Sequence, residues 1–126
     1  MFNTMKPLFA SNRGFYSDTT LGTTLVGDPT VFPDNISFIT WTIFIPNGIK
    51  AKLQASTFSP DKLTTPVTNL DEYWVDWDLE GTPAQDGNGY VSGPITVQGN
   101  IPVVSGLRIV RETGSATLVE LGLRGQ

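Results

Sequence analysis

The sequence predicts an all-β fold, a jelly-roll-like antiparallel β-sandwich preceded by an extended N-terminal arm. Three observations carry this. Two strand-like runs, residues 36–45 and 49–56, follow one another across Pro46-Asn47-Gly48. The second alternates, with Ile49, Ala51, Leu53 and Ala55 on one face and Lys50, Lys52, Gln54 and Ser56 on the other, which is a strand with one core side and one wet side. Finally, 13 Gly and 9 Pro interrupt the 126 residues so often that elements must be short, and no long stretch has the period of an amphipathic helix.

Taken in order, residues 1–20 have no stable period. They carry Phe2, Met5, Leu8, Phe9, Phe15 and Tyr16 among polar neighbours, too many large apolar groups for a solvated tail. The segment reads as an arm that docks on its own domain or on a neighbouring subunit, with the sandwich occupying residues 21–126. Residues 20–26 form a short strand candidate closed by Gly27-Asp28-Pro29. Residues 36–45 are apolar or Thr on both faces and read as a buried central strand. Asn47-Gly48 is a turn signal, because both residues tolerate positive φ.

After Ser56 comes a Pro-punctuated surface loop with room for one helical turn, at 60–63 or 70–73. Residues 73–78 alternate again, placing Tyr73, Val75 and Trp77 inward and Trp74, Asp76 and Asp78 outward. Residues 83–89 are turn chemistry. Residues 90–91 and 95–98 are short strands around Gly93-Pro94, and the end of the chain reads as a hairpin, 107–111 and 116–123 about a turn at 113–115. Seven or eight short strands separated by turns suit a sandwich or closed barrel.

Composition excludes several functions. Net charge is −4 with 8 scattered Lys and Arg, so there is no basic footprint for nucleic acid. There is no Cys and no His, which removes disulfides, Cys/His zinc sites and His-based triads. No run approaches the ~18 apolar residues of a membrane span. Lys6 and Pro7 break any secretory leader, as the N-terminus is read here.

The strongest candidate for chemistry is the acidic group Asp71, Glu72, Asp76, Asp78 and Glu80. Carboxylates could hold Ca²⁺ or act as a glycosidase pair, but a strand spaces them onto alternating faces. A wet strand edge is the plainer reading, so no metal, cofactor or catalytic residue is expected. Asp86-Gly87-Asn88-Gly89 reads as a tight turn. Trp41 and Trp77 belong to core faces, whereas Trp74 is expected to be exposed or interfacial. Arg108, Arg111 and Arg124 alternate with Glu112 and Glu120, as for cross-strand pairs on a solvent face. The residues expected to make partner contacts are Phe2, Phe9, Phe15, Tyr16 and Trp74.

The strand Lys52-Leu53-Gln54-Ala55-Ser56, the strand Tyr73-Trp74-Val75-Asp76, the strand Leu107-Arg108-Ile109 and the arm Gly114-Ser115-Ala116-Thr117-Leu118 together resemble small β-sandwich virion proteins of tailed phages. The resemblance spans residues 49–124. Where that family carries an Asp-Gly-Gly-Thr turn before the Trp, this chain has the longer loop 59–70. Such proteins decorate capsids, cement capsomers or build tail and fibre parts, often as trimers. The resemblance therefore implies a capsid decoration (cement) protein of the virion, assembled in the host cytoplasm, whose partners are the major capsid protein and itself, as a homotrimer. A tail-fibre or baseplate module and a carbohydrate-binding module are the alternatives. The latter needs an exposed aromatic platform.

Overall fold

Residues 14–79, 85–102 and 104–126 are described by the computed structural model. Phe2, Phe9 and Glu80 lie outside them, as does most of the segment read as an arm. The nine strands among the described residues are β1 (Phe15–Leu21), β2 (Thr30–Val31), β3 (Phe38–Ile45), β4 (Lys50–Ser56), β5 (Val75–Asp76), β6 (Val91–Ser92), β7 (Ile95–Pro102), β8 (Gly106–Arg111) and β9 (Val119–Gly125). A short helix α1 (Pro60–Thr64) and a 3-10 turn (Asp71–Tyr73) interrupt the loop after β4. Pro at its first turn suits α1, because that N–H would have no partner anyway.

The strands form two antiparallel sheets, ordered β1-β9-β3-β7 and β2-β8-β4-β5, with β6 beside β5 on the same edge of β4. The pairing is nested. The first strand pairs with the last, β2 with β8, β3 with β7 and β4 with β5. Rolling this ribbon brings β9 beside β3 and β8 beside β4, which is the jelly-roll arrangement. The all-β sandwich read from the sequence is the observed fold.

Period 2 explains which residues lie between the sheets. Ile39, Trp41, Ile43 and Ile45 of β3, Ala51, Leu53 and Ala55 of β4, Leu107 and Ile109 of β8, and Val119, Leu121 and Leu123 of β9 form the core. The alternate residues of β3 face out, and Phe38 and Phe44 are exposed. The expectation of a strand buried on both faces is thus corrected, since β3 is central but covered on one side only. Trp41 lies in the core and spreads across its partner Gly99 on β7, where any Cβ would meet the indole. The Asn47-Gly48 turn does contain a positive-φ residue, Gly48 at φ 80°, but it passes the chain from one sheet to the other.

Two further expectations change. Residues 15–21, largely within the presumed arm, are an edge strand paired along its whole length with β9. The candidate strand 20–26 instead leaves that sheet at Gly22 and runs beside β8, where Arg111 N donates to Leu25 O at 2.8 Å and Gly27 N to Ile109 O at 2.9 Å. The C-terminal hairpin does not form. β8 and β9 belong to different sheets, and residues 112–118 cross between them.

Arg111 explains that crossover. It pairs with Ala51 on the inward face of β8 and is 1% exposed. Its Nη1 donates to Leu21 O and to Thr117 O, both at 2.7 Å, and its Nε to Thr113 O at 3.1 Å. One guanidinium so joins the end of β1 in one sheet to both ends of the connection leaving the other. The cross-strand pairs with Glu112 and Glu120 expected of Arg108 and Arg111 do not form among the described residues: Arg111 points inward, and Arg108, on the outer face, pairs with Asp71 instead. Arg111→Met should lower the free energy of unfolding by about 3 kcal/mol, since the buried Leu21 carbonyl and the partly buried Thr113 and Thr117 carbonyls lose their donor. A reduced urea midpoint at unchanged slope is the expected signature.

Candidate interaction surface

The two outer faces of the sandwich are built from different side chains. On the β2-β8-β4-β5 sheet, β4 points Lys50, Lys52 and Gln54 outward and β8 points Arg108. The loop 57–74 folds over one end of this face. It buries Leu63 and Trp74, the latter only 5% exposed. Trp74 Nε1 donates to Asn69 Oδ1 at 2.7 Å, and the Arg108 guanidinium stacks 4.6 Å from the indole centre. Arg108 also donates from Nε to Gln54 Oε1 at 2.8 Å and from Nη2 to Asp71 Oδ1 at 3.3 Å. Burial pulls its pKa below the ordinary arginine value, and Asp71 partly opposes this.

The charge ladder continues across the sheet. Gln54 Nε2 donates to Asp76 Oδ1 at 2.9 Å, and Lys52 Nζ to Asp76 Oδ2 at 3.2 Å. Lys50 lies 3.6 Å from Asp86 and 3.9 Å from Glu112. Asp86 anchors a tight turn by accepting from the backbone N–H groups of Asn88 and Tyr90 at 2.9 and 3.0 Å, and Gly89 completes it at φ 86°. The candidate acidic group is dispersed. Asp71 and Asp76 are drawn to different cations, Asp78 is exposed, and no metal-sized group of three such ligands forms among the described residues.

The outer face of the β1-β9-β3-β7 sheet is bare. Its register sets out three rows, Thr20-Glu120-Phe44-Thr96, Asp18-Gly122-Thr42-Gln98 and Tyr16-Arg124-Thr40-Asn100, with Phe38 at one end. Tyr16 is 71% exposed, Phe38 48% and Phe44 39%. A trough of about 550 Å³ runs over Gly122, between Asp18, Thr42, Gln98 and Arg124. Asp18, Glu120 and Arg124 form no ion pair among the described residues, although Arg124 lies 5.7 Å over the Tyr16 ring. A second depression, about 610 Å³, opens at the end of the sandwich between residues 19–28 and 116–118. Its single ionisable lining residue is Asp28, so it offers no acid–base pair.

The sequence-predicted contact residues are not brought together. Phe15 turns inward, edge-on to Phe32 at 5.4 Å, and Tyr16 faces out on the bare sheet. Trp74 is buried on the opposite sheet, which corrects its expected exposure. Trp74 keeps the outward phase it shares with Asp76, which pairs with outward Gln54, and is covered there by its own loop and the Arg108 guanidinium. Val75, opposite inward Ala55 on the short edge strand β5, is exposed. Phe38 and Phe44 were missed as surface groups. The signal for them was available, because β3 places every Ile on one face with Trp41. No family model matches the chain, and no curated protein or solved structure matches it either.

Trp74→Ala should destabilise the fold by about 3 kcal/mol through the cavity it leaves, whereas Tyr16→Ser should stay within about 1 kcal/mol of the parent. Chemical denaturation of both variants checks this. The Tyr90 and Asn88 donors, with Lys50, hold the Asp86 carboxyl below its usual value. Its contribution to the turn is present above the unfolded-state pKa and is lost as pH falls through the lowered folded value. An NMR titration should show the Asn88 and Tyr90 amides moving together, with a midpoint below that of an ordinary aspartate.

Proposed function

We propose that the chain is a structural protein of a tailed-phage virion, a capsid decoration (cement) protein that acts by surface complementarity. The observation that carries this reading is the inequality of the two outer faces. One sheet is sealed by its own loop and ion pairs. The other presents mainly Thr, Asn, Gln and aromatic groups with three charged side chains, Asp18, Glu120 and Arg124, and nothing of its own among the described residues covers it. A surface of that composition suits burial in an assembly, since interface cores are poor in charge and rich in Tyr and Phe. The jelly roll is also an architecture of capsid domains, which supports the reading by analogy alone.

The mechanism is passive. The protein clamps neighbouring capsid subunits and raises the barrier to rupture or expansion of the shell. Its partners are the major capsid protein and further copies of itself. The apolar residues Phe2 and Phe9 supply the capsid contact. A carbohydrate-binding role finds no platform in Trp41 and Trp74, because both are buried.

Cosedimentation with expanded head shells of the virus that encodes the chain tests the proposal. Saturable, stoichiometric binding is expected, with at least a tenfold loss of affinity (about 1.4 kcal/mol) on deletion of residues 1–13. Failure of the intact chain to bind such shells, or to protect them against heat, would overturn it.

A further inference from the structure

We infer that the bare β1-β9-β3-β7 face is the docking site for a second copy of this chain, related by a two-fold axis. The inference rests on the assembly reading in one respect, that this face is built to be covered. Its content comes from the row order of the side chains. An axis lying in the face and crossing the strands between the Asp18-Gly122-Thr42-Gln98 row and the Tyr16-Arg124-Thr40-Asn100 row sets each strand against its own copy. In that arrangement four pairs of outward groups on β9, β3 and β7 meet chemically suitable partners.

Gly122 faces Arg124 of the second copy. The glycine leaves a dip at the centre of the sheet, and Asp18 already leans over it, its Oδ1 3.4 Å from where a Gly122 Cβ would be. The incoming guanidinium enters the dip beside that carboxylate. By symmetry the ion pair forms twice, between two groups that are otherwise unpaired among the described residues. Thr42 faces Thr40 of the second copy and Gln98 faces Asn100, so hydroxyl meets hydroxyl and amide meets amide. Phe44 faces Phe38 of the second copy, again twice, which covers the two exposed phenylalanines. A face that satisfies itself in this way is isologous, as a two-fold interface requires.

The dimensions are adequate. Four strands about 4.8 Å apart and seven residues rising about 3.4 Å each give a face of about 450 Å². With side-chain relief, pairing removes on the order of 1,200 Å² of accessible surface, the lower limit of stable interfaces. Two twisted sheets stack at about 10 Å with a tilt near 30°. The tilt leaves the central Gly122–Arg124 and Thr42–Thr40 contacts in register and slides the peripheral ones. The trough over Gly122 is the space that the second sheet's side chains fill.

Sedimentation velocity on the full chain, with Asp18→Arg and the double variant Asp18→Arg/Arg124→Asp, tests the inference. The parent should show a reversible monomer–dimer equilibrium. Asp18→Arg should weaken it about 100-fold, tenfold for each symmetric contact, and the double variant, with both charges exchanged, should recover most of the loss. Both positions are exposed, and circular dichroism verifies folding. A parent that is monomeric at every concentration, one that forms trimers, or a dimer indifferent to Asp18→Arg overturns the pairing. Shell binding by the parent is scored separately: a parent that dimerises but does not bind head shells would tell against the capsid role alone.

Discussion

The Arg111 guanidinium is the interaction on which the sandwich depends. β9 lies between β1 and β3, so one sheet has no centre until the last strand of the chain arrives. That strand reaches it by leaving the other sheet through residues 112–118. Arg111 holds both ends of this crossing and the end of β1 at once. Three carbonyl acceptors and no carboxylate among the described residues stabilise the buried charge. Carbonyls fix direction as well as energy, because each must point along a planar N–H fork. The same residue opposes the competing local hairpin. Pairing β8 directly with β9 would take the Thr113 and Thr117 carbonyls out of reach of an inward guanidinium. Nested long-range pairing also makes the fold wait for loop closure, and such topologies fold slowly.

Why one outer face is covered and the other open follows from side-chain length. β4 presents Lys50, Lys52 and Gln54, whose long stems reach Asp76 on the neighbouring β5 and Asp86 and Glu112 on flanking loops. Those contacts hold the chain down over the β2-β8-β4-β5 sheet. β3 presents Thr40 and Thr42 and β9 presents Gly122, which reach no further than their own strand neighbours, as in the 3.0 Å bond from Thr40 Oγ1 to Asn100 Oδ1. Connections leaving that sheet pass to the opposite one, so among the described residues no loop covers it. Openness on this side is thus a consequence of topology together with short polar residues.

Much of this was legible in the sequence. Period 2 located β3, β4 and β8 to within two residues, and the turn density gave the class. Period 2 reports which face of a strand is buried, not which strand lies beside it. Thr113-Gly114-Ser115 therefore suited a hairpin and a crossing equally. Arg111 was placed outside because arginines usually are, and only its inward register partner Ala51 reveals otherwise. Trp74 has the outward phase read for it, but period 2 does not report that its own loop and Arg108 fold over that face. The bare face was hidden for a related reason. A run such as Phe38-Ile39-Thr40-Trp41 looks buried throughout unless its Ile and Trp positions are separated from its Phe and Thr positions.

Glycine separates the needs of the fold from the needs of the surface. Gly99 is demanded from within, because the Trp41 indole occupies the place of its side chain, and Gly125 likewise yields to Ile36. Gly122 is different. It sits in the middle of a central strand, its φ is unexceptional, and a Cβ there would meet Asp18 and Thr42 only at ordinary contact distance. A strand is weakened by glycine, which adds backbone entropy to the unfolded state and offers nothing to pack. Alanine or threonine would suit the folded monomer better at this position. The missing side chain is therefore explained from outside the monomer, by a group that must approach the sheet closely where Asp18 can receive it. That places the molecular meaning of the face in its centre, at a depression between a carboxylate and a guanidinium one row apart.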